Sequence, residues 1–146
     1  MSSRAFSSGL VAYASMAVSN STQESDFEFL QSWCRRIPIE MDLLAEDVHP
    51  TAVVRPFWNE ILKGIESGSI TTLIVPSLFH IAGEDFISLS KFLVFLKAHR
   101  VALKSLIEVI DSRRDSNNDI VLRLIQNVGS SAPGRATADV QSTRGQ

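Results

Sequence analysis

Two periods of apolar residues alternate along the chain. Residues 10–17, LVAYASMA, form a nearly uncharged run of the kind carried by a strand buried on both faces. From Ser25 the spacing becomes helical: Phe27, Leu30, Trp33, Cys34 and Ile37 recur on one face, with Asp26 and Glu28 near the start and Arg35 and Arg36 near the end. Those charges suit the helix dipole, and Pro38 closes the segment. Residues 39–45 read as a second strand, leading into the loop EDVHPTAVV. Pro56 then opens a helix where a missing N–H is no loss; Phe57, Ile61, Leu62 and Ile65 form its stripe and Gly68 lies just past its end. The β-branched run 70–76, bounded by Gly68 and Pro76, predicts a third strand. Phe86, Leu89, Leu93 and Leu96 give a helix over 84–99 one apolar face, and 101–108 reads as a fourth strand. Beyond Asp111, SRRDSNN is a polar loop and NDIVLRLIQNV a short helix.

Strands alternating with helices predict right-handed βαβ crossovers. The expected fold class is α/β, a three-layer αβα arrangement with a mostly parallel sheet of about four strands. Its expected organisation is an N-terminal extension over 1–9, one α/β domain over 10–128, and a disordered tail over 129–146 that lacks an apolar period. At 146 residues and 45% hydrophobic content the chain has material for a single core. A net charge of −2 provides no overall basic field, so DNA binding by the chain alone is expected to be weak. Cys34 is the sole cysteine, which excludes an intramolecular disulfide and fits a reducing cytoplasm. No run reaches the roughly 18–20 apolar residues of a membrane span. No GxGxxG or GxxxxGK loop is present, so neither a nucleotide nor another cofactor is expected.

In a parallel sheet, function gathers at the carboxyl ends of the strands. Here those ends are ASMAVSNSTQ, AEDVHPTAVVRP, PSLFHIAGED and EVIDSRRD. Their order resembles the catalytic domain of the resolvase/invertase family of serine recombinases. AVSNSTQESDFEFLQSWC is similar to that family's YxRVS strand end, polar stretch and amphipathic helix, with Ser19 on the nucleophile position and Gln23 on the family's glutamine. Glu46 and Asp47 followed by Arg55-Pro56 match an acidic loop and an Arg-Pro helix start. GSITTLIVPSLFHIAGED, the 84–99 helix, HRVALKSL and EVIDS continue the succession, so the resemblance covers about residues 10–112.

The resemblance implies a serine that attacks a DNA phosphodiester to form a 5′-phosphoserine, assisted by arginines that neutralise the developing phosphate charge. Ser19 and Arg55 are then the candidate catalytic pair. The family's other arginine positions hold Ala17, His80 and Gly83, and its LDR aspartate is Phe79. This departure predicts a homologue without strand-cleaving activity, serving oligomerisation or regulation as a homo-oligomer or with a recombinase partner. Two alternatives stand beside it: an active subunit completed by a partner's arginines, and a flavodoxin-like module for a small ligand or protein.

Each candidate residue also has a plainer role. Ser19 reads as well as a loop serine, and Arg55 as a solvated residue before a proline-initiated helix. Glu46, Asp47 and His49 offer a metal set or simply an acidic loop. His80 offers an acid or base, or a packed or partly exposed side chain; on an arginine position of the resemblance, its partial positive charge is a poor substitute for a guanidinium fork. Arg113 and Arg114 are candidate DNA-phosphate contacts or parts of a solvated turn. The apolar surface of 84–99 exceeds one stripe, which leaves room for a subunit contact.

Overall fold

A computed structural model of the chain describes residues 8–16, 26–38, 40–48 and 55–130, with side chains through 127. The first strand, β1 (Leu10–Ser15), is paired in parallel on both sides, with β2 (Leu43–Asp47) and β3 (Thr72–Val75). β4 (Ala102–Ser105) adds to β3 in parallel, and β5 (Ile110–Asp111) closes the far edge antiparallel, giving the order β2-β1-β3-β4-β5. The helices are α1 (Asp26–Arg36), α2 (Pro56–Ser67), α3 (Phe79–Ala82), α4 (Phe86–Ala98) and α5 (Asn117–Ser130).

The central position of β1 explains its uncharged sequence, since both its faces are covered. Val11 and Tyr13 join the larger core with Trp58, Ile61 and Ile65 of α2, Leu89, Leu93 and Leu96 of α4, and Ile120 and Leu124 of α5. Ala12 and Ala14 face the opposite way, where their small side chains let Leu30 and Cys34 of α1 pack onto the sheet. Three layers result, with α1 on one face and α2, α4 and α5 on the other.

Several expected boundaries shift. The sheet has five strands rather than about four, because the turn Leu106–Val109 reverses the chain and lets Ile110 and Asp111 pair back onto Ser105 and Lys104. A two-residue strand is too short to show a period. The second strand occupies 43–47 instead of 39–45, since its register starts with Leu43 opposite Val11 and ends with Asp47 opposite Ser15. The alternation before Leu43 extends the apparent strand because Met41 packs beneath the sheet against the α1 layer. Phe86 does not join the α4 stripe; it is 48% exposed in the first turn, above the cap that Asp85 makes with the amides of Ile87 and Ser88. The fourth strand stops at Ser105, so Glu108 lies in a turn. Within the strand end PSLFHIAGED, to which the sequence pattern assigns no element, FHIA forms the helix α3.

Ser8 and Gly9, placed in the expected extension, are tied to the fold. The carboxylate of Asp42 accepts from both their amides, at 2.9 and 2.6 Å. Gly9 has φ +78°, and a Cβ there would stand 2.6 Å from Thr71 Oγ1, so position 9 requires glycine for both conformation and space. Helix α5 extends two residues into the expected tail; residues 131–146 lie outside the described residues.

Candidate functional site

Among the described residues, the buried polar and charged side chains are Ser15, Asp47, Ser77, His80, Ser105 and Glu108. Every one stands at or just beyond the carboxyl end of a parallel strand. Burying a polar group without a partner is costly. Their concentration at one edge marks it as the candidate site, and their hydrogen bonds divide it into two clusters.

The first cluster surrounds Arg55. Asp47, at the end of β2, accepts from the amides of Phe57 (2.9 Å) and Trp58 (3.1 Å), and so caps α2 from a distant strand. The residue at the N-cap position, Arg55, makes no side-chain cap. Its guanidinium instead turns inward: Nε donates to Tyr13 Oη at 3.1 Å, and the two terminal nitrogens donate to the carbonyls of Ile81 (2.9 Å) and His80 (2.6 Å). It lies 4.4 Å from the Trp58 ring centroid and 5.4 Å from that of Tyr13. Tyr13 in turn donates to Asp47 Oδ2 at 2.8 Å. Strands β1 and β2 and helices α2 and α3 are thus joined around one cation.

His80 is 1% exposed and both its ring nitrogens are engaged. The amide of Ser15 donates to Nδ1 at 2.9 Å, so Nδ1 is the accepting nitrogen and Nε2 carries the hydrogen toward Asp26 Oδ2, 2.7 Å away. Both ring nitrogens are thus committed to partners within the protein. No ring nitrogen remains to serve as acid or base. His80 joins α3, β1 and the start of α1.

The second cluster is built on Glu108, 4% exposed. Its two oxygens accept from Ser77 Oγ (2.7 Å), the amide of Leu78 (3.1 Å), Asn127 Nδ2 (3.3 Å) and Ser105 Oγ. Arg123 of α5 donates to the Glu108 carbonyl. This cluster was missed in the sequence because 101–108 was read as continuous strand. Its available signal was three polar residues, Ser77, Ser105 and Glu108, interrupting or ending apolar runs at strand ends.

Burial pushes the Tyr13 hydroxyl up to about 12, with Asp47 adding to the rise and Arg55 opposing it. The unfolded chain ionises its tyrosine near pH 10. Between about pH 10 and 12 the unfolded state therefore loses a proton that the fold retains, and stability is expected to fall by about 2–3 kcal/mol across that window. Tyr13 is the sole tyrosine, so tyrosinate absorbance reports on it directly. A native titration midpoint near 10 would contradict the buried arrangement. Elsewhere at this edge, burial raises the Glu46 carboxyl, with Glu28 contributing to the rise and His80 counteracting it.

Of the sequence candidates, Arg55 and His80 meet at this edge, whereas Ser19, Ala17 and His49 lie outside the described residues. Asp47 faces the core from a strand rather than lying in an acidic loop, and donors occupy both its oxygens. Arg113 and Arg114 are elsewhere. Because β5 runs antiparallel, the segment after it returns toward the amino ends of β3 and β4. There Arg113 grips both oxygens of Asp111 (3.1 and 3.2 Å), while Arg114 meets Asp115 at 2.9 Å and the Val109 carbonyl at 2.8 Å. These hydrogen bonds hold both carboxyls below their ordinary range.

No protein-family model and no curated protein matches the chain. Solved structures do match. The N-terminal catalytic domain of TP901-1 integrase superposes with a TM-score of 0.60 at 16% identity, covering 82% of this chain and 93% of that one. A resolvase family site-specific recombinase from Streptococcus pneumoniae gives 0.57 at 21% identity, covering 82% of this chain and 86% of that one. The chain has a resolvase-type fold. The resemblance drawn from the order of strand ends therefore holds for the architecture. Within this resolvase-type fold, the edge carrying Arg55 and His80 is the one on which the sequence resemblance places the family's chemistry. No described helix is long and apolar enough to cross a membrane.

Proposed function

We propose that this resolvase-type chain belongs to site-specific DNA recombination without cutting DNA itself, acting by oligomerisation or regulation of a recombinase. The inward commitment of Arg55 carries this reading. Phosphodiester cleavage needs guanidinium forks aimed at phosphate oxygens, and losing one such donor costs on the order of 10²–10³ in rate. Here the remaining arginine of the motif spends its Nε and both terminal nitrogens on Tyr13 and two backbone carbonyls. His80, on a second arginine position of the resemblance, is buried between Ser15 and Asp26. Neither arrangement supplies a cation to a phosphate in front of the edge.

Purified protein incubated with supercoiled DNA is expected to give neither nicked circles nor a protein–DNA covalent adduct, and Ser19→Ala is expected to behave identically. A 5′-phosphoseryl adduct formed by the unaltered chain and lost in Ser19→Ala would reverse the reading and make Ser19 a working nucleophile. Restoring arginine at position 80 is expected to disrupt the fold rather than revive chemistry, since the site is fully enclosed.

A further inference from the structure

The amino edge of the sheet, opposite the Arg55 cluster, carries an open groove of about 670 Å³ over an aliphatic floor from α4 and β4. Its lining includes four cations, Lys97, Arg100, Arg113 and Arg114, against one acid, Asp115. Asp111 lies alongside and holds Arg113. After these pairs are counted, the edge keeps a positive excess, and Lys97 and Arg100 form no ion pair among the described residues. Arg113 and Arg114 remain well exposed even when paired, at 60% and 63% of their side-chain surface.

Arg100 is held there under strain. It follows the C-terminus of α4 with φ +60°, in a turn where Val101 N–H donates to the Leu96 carbonyl and Arg100 N–H to that of Lys97. Such a position favours glycine. The comparable turn after α2 uses glycine, Gly68, at φ +83°. An arginine kept in a left-handed conformation at the rim of a cationic groove is an outlier that points to a role for its charge.

We propose that this groove holds the phosphate backbone of DNA, giving the chain a DNA contact on the edge away from the strand-end cluster. The inference rests on the reading of the chain as a DNA-associated domain. The lining offers cations and the hydroxyls of Thr71, Thr72 and Ser116, with no aromatic ring on which a base would stack. That chemistry suits phosphates and carries no sequence readout. The modest positive excess matches weak binding that salt suppresses.

The test is fluorescence anisotropy of a short labelled duplex titrated with the full chain over a series of salt concentrations. Arg100→Gly removes the charge and relieves the backbone strain, so it is expected to raise the thermal midpoint while weakening binding about threefold to tenfold at low salt and reducing the salt slope by about 0.9. Lys97→Ala is expected to reduce the slope similarly. An Arg100→Gly protein that is more heat-stable yet binds with unchanged affinity and slope overturns the proposal. So does a wild-type chain that fails to bind the duplex at low salt, a result that leaves the no-cleavage expectation standing. Inorganic pyrophosphate serves as the small-anion probe. If it stabilises wild type but not Arg100→Gly while DNA binding is equal in both, the groove takes a small anion and the DNA assignment falls.

Discussion

Alanine at position 55 is expected to lower the stability of the fold by about 2–4 kcal/mol, an effect no solvated arginine would give. The substitution removes three hydrogen bonds from a charged donor and a cation stacked 4.4 Å from the Trp58 ring. It also leaves the carbonyls of His80 and Ile81 without the fork that holds α3 to the sheet. Lysine should recover less than half of the loss, because a single ammonium cannot reproduce a planar fork reaching two carbonyls and a phenol oxygen. Urea unfolding followed by far-ultraviolet circular dichroism measures the difference. A variant within about 0.5 kcal/mol of wild type would show that the side chain is available to a ligand, and the reading of this edge as a spent phosphate site would have to be withdrawn.

Glu108→Ala is expected to cost more, about 3–5 kcal/mol, which is a large part of the roughly 5–15 kcal/mol by which domains are stable. Four donors from three parts of the chain converge on this carboxyl group: the Ser77 hydroxyl and Leu78 amide before α3, the Ser105 hydroxyl ending β4, and Asn127 of α5. Truncation strands them in a site closed to water, and each buried unsatisfied group costs about 1–3 kcal/mol. Glu108→Gln keeps one acceptor oxygen and the packing volume, and should fall between alanine and wild type. Since Arg123 and Asn127 tie α5 to this turn, hydrogen exchange in Glu108→Ala should quicken in α5 before it quickens in β1. Uniform quickening across both elements would mean that the cluster holds the whole domain rather than anchoring the last helix.

Some elements were legible because burial is periodic. The stripe Phe57, Ile61, Leu62 and Ile65 between Pro56 and Gly68 leads to α2 (Pro56–Ser67), and Gly68 takes the left-handed cap. The β-branched run before Pro76 leads to β3. Where the reading failed, pairing overrode pattern. Residues 39–42, Ile-Glu-Met-Asp, alternate as a strand would, yet β2 starts at Leu43 because β1 sets the register. β5 has two residues and exists only because a turn brings Ile110 opposite Ser105.

The site divides along the same line. Sequence order alone placed Arg55 at a strand-end edge, joined it to a helix start, and carried the resemblance that the resolvase-type fold bears out. It left open whether Arg55 faces a ligand or the protein, and it separated Arg55 from Arg113 and Arg114 no further than their numbers. Only the tertiary structure turned the guanidinium toward carbonyls 25 and 26 residues away, buried Glu108 among donors up to 31 residues distant, and sent Arg113 and Arg114 to the amino edge. The physical reason is directionality. Hydrophobic burial is nearly non-directional and scales with area, so a chain's spacing of apolar residues specifies its elements and core faces. A hydrogen bond holds within a few tenths of an ångström and a limited cone of angles, so its partners are decided by sheet register, strand direction and turn geometry.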